Sequence, residues 1–152
     1  KAALFNALME RAKMPLESAF YLLEKDSPVD PLADLHEYLV CVFKLTVDDQ
    51  RARRAFEIAT IKMELGEDMN AVRRRRAEWK ARWMATCEGR IRIGVDHGLL
   101  KPDVNPEVVA LGLHALVDGL LRAWLLEPQS FDLVKVGEQI VDTHLECLRA
   151  VK

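Results

Sequence analysis

The feature that most constrains the fold is an apolar stretch, residues 108–126, whose polar side chains are His114, Asp118 and Arg122. These three recur at every fourth position, so on an α-helix they form one stripe along the axis. A second stripe holds the small residues Gly112, Ala115, Gly119 and Ala123. Because the remaining surface is apolar, we expect this helix to be buried on nearly every side, at the centre of a bundle or against a second subunit.

A membrane-spanning helix is the competing interpretation, since about 20 apolar residues can cross a bilayer. An ionisable side chain at the centre of such a helix costs ~2.5–3.5 kcal/mol on insertion scales, and Asp118 and Arg122 both lie in the second half of the stretch. We therefore predict no membrane association. The three cysteines show no paired or zinc-binding spacing, which is typical of a protein of the reducing cytoplasm.

Apolar periodicity predicts an all-α antiparallel bundle of about six helices within a single domain of 152 residues. The predicted helices cover residues 1–25, 30–47, 49–65, 67–97, 105–126 and 132–151. The second, fifth and sixth begin with the N-cap side chains Asp30, Asn105 and Asp132. Gly66 and Gly98 are expected to end the third and fourth.

The last two predicted helices carry more apolar surface than one small bundle can bury. We therefore predict a homodimer in which this pair packs against its twofold copy as an intersubunit four-helix bundle. The predicted interface residues are Gly112, Ala115, Gly119, Ala123, Ile140, Val141, His144 and Leu148.

No catalytic or metal-binding arrangement can be assembled from the sequence. It contains no G-x-S-x-G, no phosphate-binding glycine loop, no H-E-x-x-H and no Glu-x-x-His motif. We expect neither an enzyme nor a cofactor or metal. The formal net charge of −2 gives no global reason to bind nucleic acid, and the four arginines at 73–76 point in different directions around a helix, as on a solvated surface.

The polar stripe has two interpretations. His114 with Asp118, and Asp118 with Arg122, are spaced for pairing within the helix, which would make the stripe structural. Alternatively, these groups orient a ligand in a mostly apolar pocket, with Trp83 as part of its wall. The residues alone leave a purely structural helical dimerisation module and a ligand-binding domain both open.

Several stretches carry a resemblance to a known family: KAALFNAL at the start, Arg53-Arg54, Glu57-Ile58, Lys62-Met63-Glu64, Val117–Leu120, Trp124-Leu125 and Pro128–Leu133. In their order and spacing they resemble the C-terminal effector-binding and dimerisation domain of TetR-type transcriptional repressors, in the branch that controls multidrug efflux pumps. The resemblance spans essentially the whole chain.

This resemblance implies that residues 1–152 are the ligand-binding and dimerisation domain, and that an N-terminal helix-turn-helix domain, absent from this chain, binds operator DNA. It implies a small hydrophobic effector, held in a cavity of roughly several hundred Å3, whose binding releases the operator of an efflux or stress-response operon. The positions that match cavity-lining ones are Leu39, Val42, Phe56, Thr60, Cys87, His114, Val117, Asp118 and Leu121. Asp118 is the principal candidate, and Trp83 is added from its apolar ring.

Overall fold

The computed structural model describes residues 3, 4, 6, 7, 10, 17, 20, 21, 23, 24, 30–58, 60 and 70–151. Each described residue before Asp30 is helical. The helices that follow in the described part are α1 (Pro31–Asp48), α2 (Gln50–Glu57), α3 (Asn70–Asp96), α4 (Pro106–Leu126) and α5 (Leu133–Glu146). Within these ranges the one β-type contact is an isolated bridge between Leu100 and Arg149, so the predicted all-α class is confirmed.

The helices begin where their capping side chains predict. The Asp30 carboxylate accepts hydrogen bonds from the backbone N–H groups of Leu32 and Ala33, at 3.0 and 3.2 Å. Asn105 caps α4 in the same way, and Asp132 accepts the N–H of Lys135 at 3.0 Å. These bonds satisfy donors that have no partner inside the helix, which is why short polar side chains mark the starts.

Gly98 ends α3 as predicted, through a specific backbone geometry. Its φ is +70°, a left-handed conformation that glycine adopts without a steric penalty. The N–H of Leu99 donates to the carbonyl of Gly94 at 2.9 Å, and the N–H of Gly98 donates to the carbonyl of Val95 at 3.0 Å. This pair of bonds is a Schellman motif. Gly66, predicted to end the third helix, lies outside the described residues.

The last helix is shorter than predicted: α5 ends at Glu146, whereas the apolar pattern extends to Val151. The chain leaves the helix because its tail pairs with the connection between α3 and α4. The N–H of Ala150 donates to the carbonyl of Leu99, and the N–H of Lys101 donates to that of Leu148, both at 3.0 Å. The backbone beyond Glu146 therefore pairs with a neighbouring loop instead of continuing the helix, and the Val151 side chain is 90% exposed.

The core is centred on α1, which packs most extensively against α5 and also against α3. Its side chains Leu35, Leu39 and Phe43 are fully buried. Gly137 lets α5 approach closely, since a Cβ atom at this position would lie 2.7 Å from the Phe43 ring. This contact requires a glycine, which the apolar pattern of the sequence did not predict.

Two arginines join helices from within the bundle. Arg53 of α2 donates to the carbonyls of Thr46 and Val47, at 3.2 and 2.7 Å, and so satisfies the end of α1. Arg90 of α3 is 5% exposed and donates to the Asp34 carboxylate and to the Leu23 carbonyl, both at 3.0 Å. Arg90 thereby fixes α3 to α1 and to the helical residues before it.

The fifth predicted helix was expected to be buried at the centre of a bundle or against a second subunit; the described part of one chain does not surround it, and burial against a second subunit stays a prediction. By length and composition alone, α4 is apolar enough to cross a membrane. Only 22% of its most apolar stretch is buried inside the described structure. One side packs on α3, and the opposite side leaves Val108 and Leu111 64% and 51% exposed. The apolar surface predicted on α4 is therefore present, but none of the described residues covers one of its faces.

Candidate ligand-binding site

The predicted ligand-binding residues come together where α1, α2, α3 and α4 meet. Their apolar members on α1, α3 and α4 belong to one continuous buried cluster: Leu39, Val42, Trp83, Cys87, Val117 and Leu121. Phe56, on α2, is half-buried and packs against the edge of this cluster. The structure thus gathers side chains that lie far apart in the sequence into a single apolar junction.

Thr60 lies one helical turn beyond Phe56, and its hydroxyl is engaged locally. The hydroxyl donates to the Phe56 carbonyl at 2.6 Å. A threonine bonded back to its own helix presents its methyl group and its oxygen lone pairs to the surroundings. Thr60 can therefore accept a hydrogen bond from a ligand, whereas its proton is already used.

His114 lies on the α4 side of the junction, with its ring against Trp83. The two ring centroids are 5.5 Å apart, at an interplanar angle of 53°. Burial lowers the pKa of His114 below its ordinary value, the positive charges of Lys80 and Arg76 lower it further, and the Asp118 carboxylate opposes them. The imidazole is consequently neutral at pH 7, with one nitrogen able to donate and the other to accept a hydrogen bond.

Asp118 is half-buried on α4 and has no hydrogen bond or ion pair with any other residue that the structure describes. The intrahelical pairs with His114 and Arg122, one of the two interpretations of the stripe, are not formed in this part of the chain. The carboxylate influences the pKa of His114 but does not bond to it. A partly buried carboxylate without a protein partner is available to a ligand.

One residue of the junction, Tyr38, was not anticipated from the sequence. Tyr38 is buried next to Leu39 on α1 and belongs to the same core cluster as Trp83. Burial raises the pKa of this phenol, so it stays protonated. Tyr38 lies three residues after Leu35 and four before Val42, which places it on the inner face of α1. This helical spacing is the feature of the sequence from which its position could have been predicted.

Cys87 is fully buried at the junction, and burial raises the pKa of its thiol, with the nearby Glu88 charge acting in the same direction. The thiol is therefore protonated at neutral pH and behaves as a small apolar side chain.

The predicted cavity between Phe56 and Asp118 stays a prediction. A surface depression of about 430 Å3 lies elsewhere, over the turn Glu127–Ser130 between α4 and α5. None of the predicted ligand-binding residues borders this depression.

The predicted dimer residues divide between surface and core. Ala115, Gly119 and Ala123 are exposed on the uncovered side of α4, and Gly112, Ile140, His144 and Leu148 are half-buried. Val141 is fully buried in the core of its own chain, so its assignment to an interface is corrected. It occupies the side of α5 that packs inward.

The comparisons with known proteins give the class of protein to which this all-helical chain belongs, that of transcriptional repressors. Residues 30–150 match the family model of MAATS-type transcriptional repressors, C-terminal region. The chain belongs to this family, within the TetR-type repressors.

Three relatives illustrate the family. The HTH-type transcriptional regulator TtgR of Pseudomonas putida is 35% identical over 153 residues, which cover 98% of this chain and 71% of TtgR. NalD, the secondary repressor of the MexAB-OprM multidrug efflux pump in Pseudomonas aeruginosa, has a similar structure with a TM-score of 0.85 and 25% identity, covering 100% of this chain and 77% of NalD. The SmeT–triclosan complex has the same fold, with a TM-score of 0.83 and 23% identity over 98% of this chain and 71% of SmeT.

Proposed function

We propose that this chain is the effector-sensing and dimerisation domain of a TetR-type repressor that controls a multidrug efflux operon. A small hydrophobic effector binds at the junction of α1, α2, α3 and α4, and operator DNA is bound by a helix-turn-helix domain in the N-terminal part of the protein. The relatives support this role: NalD represses an efflux pump, and SmeT forms a complex with triclosan. As for such regulators, we propose a cytoplasmic location.

The observation that carries the proposal is the environment of Asp118. Its carboxylate lies at the edge of a buried apolar cluster, beside a neutral imidazole, and has no partner among the described residues. Apolar walls with a few polar groups are typical of sites for small organic molecules. We propose that Asp118 and His114 orient the effector, while Val117, Leu121 and Phe56 contact its apolar part.

Effector binding is proposed to lower operator affinity by changing the position of the helical residues that precede α1. In a dimer, the two DNA-binding domains fit successive major grooves only at one separation. A coupling free energy of ~1–3 kcal/mol between effector and operator corresponds to a 5- to 150-fold change in affinity. A small displacement at the junction is therefore sufficient.

The homodimer is proposed to form through the uncovered face of α4 together with α5. This face combines the exposed apolar side chains Val108 and Leu111 with the small residues Ala115 and Gly119, which allow close helix packing. The Nε2 atom of His144 on α5 is shielded from solvent and has no hydrogen-bond partner in the described part of the chain. A second protomer would cover the apolar face and could supply that partner.

The first prediction tests the effector site by tryptophan fluorescence, using triclosan as the probe. Because Trp83 lies in the junction, we expect saturable quenching in the micromolar range. Asp118→Ala should weaken binding about tenfold, equivalent to roughly 1.4 kcal/mol, because it removes a charged hydrogen-bonding group. Asp118→Asn removes the charge but keeps a hydrogen-bond acceptor, so its comparison with Asp118→Ala shows which of the two the ligand requires.

The matched control is Asp103→Ala, which removes an exposed carboxylate from the connection between α3 and α4 and should leave binding unchanged. A panel of hydrophobic cations and neutral aromatic compounds extends the titration to other effector charges. If no compound quenches saturably and Asp118→Ala only lowers the melting temperature, the proposed site is wrong and the structural dimerisation module is the better account.

A further inference from the structure

One face of α3 changes from apolar to basic where it leaves the buried core. Arg76, Lys80, Trp83 and Cys87 follow one another at intervals of four, three and four residues, so they share this face. Cys87 is fully buried and Trp83 is 6% exposed, whereas Lys80 and Arg76 are exposed. The Trp83 ring contacts His114 of α4, with 5.5 Å between the ring centroids. The apolar part of the face is therefore directed at the candidate ligand-binding site, and the two cations continue it outward.

The basic end of this face lies alongside the turn of α4 that carries Asp118. Because α3 and α4 are consecutive helices that pack on each other and are joined by residues 97–105, they run antiparallel. Lys80 is about one turn before Trp83 on α3, and Asp118 is about one turn after His114 on α4, so these two turns are side by side. The titration of His114 agrees with this placement: Lys80 lowers its pKa more than Asp118 raises it, and Arg76 also lowers it.

These charged groups are not neutralised by their neighbours. Lys80, Arg76 and Asp118 form no hydrogen bond or ion pair within the part of the chain that the structure describes. Two cations and one carboxylate leave an excess of positive charge beside the Trp83 ring and the neutral His114 imidazole. An excess of one charge next to an apolar wall attracts ligands of the opposite charge and repels those of like charge.

We propose that Lys80 is a specificity-determining residue of the effector site, which together with Arg76 makes the site accept neutral and anionic aromatic compounds in preference to cationic ones. The aromatic part of the effector lies against Trp83 and His114, and its anionic group faces the Lys80 ammonium. Asp118 accepts a hydrogen bond from a donor on the same molecule. This inference rests on the proposed function, because it concerns the charge of the effector that the same site binds.

The test uses two fluorescent probes of nearly the same shape, anilinonaphthalene sulfonate and N-phenylnaphthylamine, of which the second lacks the sulfonate. Their affinities for the full chain are measured by fluorescence titration, and displacement by triclosan shows that both occupy the effector site. Lys80→Gln is expected to weaken binding of the sulfonate at least about fivefold, because a nearby opposite charge is lost, and to change that of the neutral amine less than about twofold. Lys80→Arg keeps the charge and should keep the preference for the sulfonate.

The matched control is Arg74→Gln, which removes one positive charge from the opposite, exposed side of the same helix and should leave both affinities unchanged. The reverse change, Lys80→Glu, places a negative charge at the site. It should let the permanent cation tetraphenylphosphonium displace the neutral probe at a lower concentration than it does from wild type.

The outcomes separate this inference from the proposed function. Unchanged sulfonate binding in Lys80→Gln overturns the inference, as does an equal loss for both probes, which would mean that Lys80 acts by packing alone. The same loss of sulfonate binding in Arg74→Gln also overturns it, because the effect would then follow from net charge. Each of these results leaves the effector site standing. If triclosan displaces neither probe, the effector site itself is wrong and the inference falls with it.

Discussion

The charge state of His114 is set by its neighbours on two helices. Lys80 and Arg76 approach it from α3, and Asp118 from α4, while burial disfavours the charged imidazole. The net effect is a pKa below the ordinary value of 6.5. If His114 borders the effector site as proposed, its neutral imidazole keeps the cost of covering it with a hydrophobic ligand low.

The second prediction concerns this titration, followed by NMR of the His114 ring. Lys80→Gln should raise the pKa of His114 because a repelling charge is removed, and Asp118→Asn should lower it because an attracting charge is removed. Arg74→Gln removes a charge on the opposite side of α3 and serves as the control. Identical titration curves for Lys80→Gln and wild type would show that Lys80 does not face His114.

The lowered pKa also gives a pH dependence of stability. The unfolded state binds a proton at His114 at higher pH than the folded state does, so the contribution of this residue to the free energy of unfolding is complete above pH 6.5. It decreases as the pH falls from 6.5 toward the folded-state pKa. His114→Gln should remove this component from the pH profile.

Residue identities in the site were predictable to different degrees. The apolar residues of the candidate site were predicted from the family resemblance and from the helical period. An inward-facing apolar position is recognised from its neighbours within one or two helical turns. Tyr38 and Arg90 were missed because a polar residue on an inward face has meaning only through its partner. For Arg90 that partner is Asp34, 56 positions away along the chain. No local pattern can reveal a pairing of this kind.

At the level of helices, the close contact between α1 and α5 depends on the absence of one side chain. The third prediction is that Gly137→Ala lowers the free energy of unfolding by about 1–3 kcal/mol, because its Cβ would lie 2.7 Å from the Phe43 ring. Thermal or urea unfolding measures this. Gly89→Ala is the matched control, since a Cβ there meets nothing within 4 Å and alanine favours a helix by up to about 1 kcal/mol. Equal effects of the two substitutions would contradict the contact.

Helix starts were predicted better than helix ends, for a physical reason. A start is specified by a side chain and by backbone groups within a few residues, as at Asp30, Asn105 and Asp132. The end of α5 is decided instead by hydrogen bonds between its tail and residues 99–101, which are distant in sequence. The apolar pattern continues past Glu146 and carries no sign of that pairing.

At the scale of the whole molecule, the uncovered face of α4 determines the expected assembly. The fourth prediction is that chains of 17.3 kDa sediment as dimers and that Gly119→Leu produces monomers. Among the described residues no atom lies within 4 Å of a Cβ at this exposed position, whereas a leucine there would separate two packed helices of a dimer. Gly89→Leu, on the exposed side of α3, should leave the dimer intact. Unchanged sedimentation of Gly119→Leu would place the interface elsewhere.

The tail that ends α5 also bears on the order in which the bundle assembles. Arg149 pairs with Glu146 beside it, at 2.8 Å, and with Asp30, at 3.4 Å and 119 positions earlier in the chain. Contacts between such distant positions form slowly, because a large loop must close before any of them is gained. Docking of α5 is therefore expected to be the last step of folding. A chain in which α5 has not yet docked leaves the groove of α1 around Phe43 open to solvent, and exposed hydrophobic surface of this kind favours aggregation.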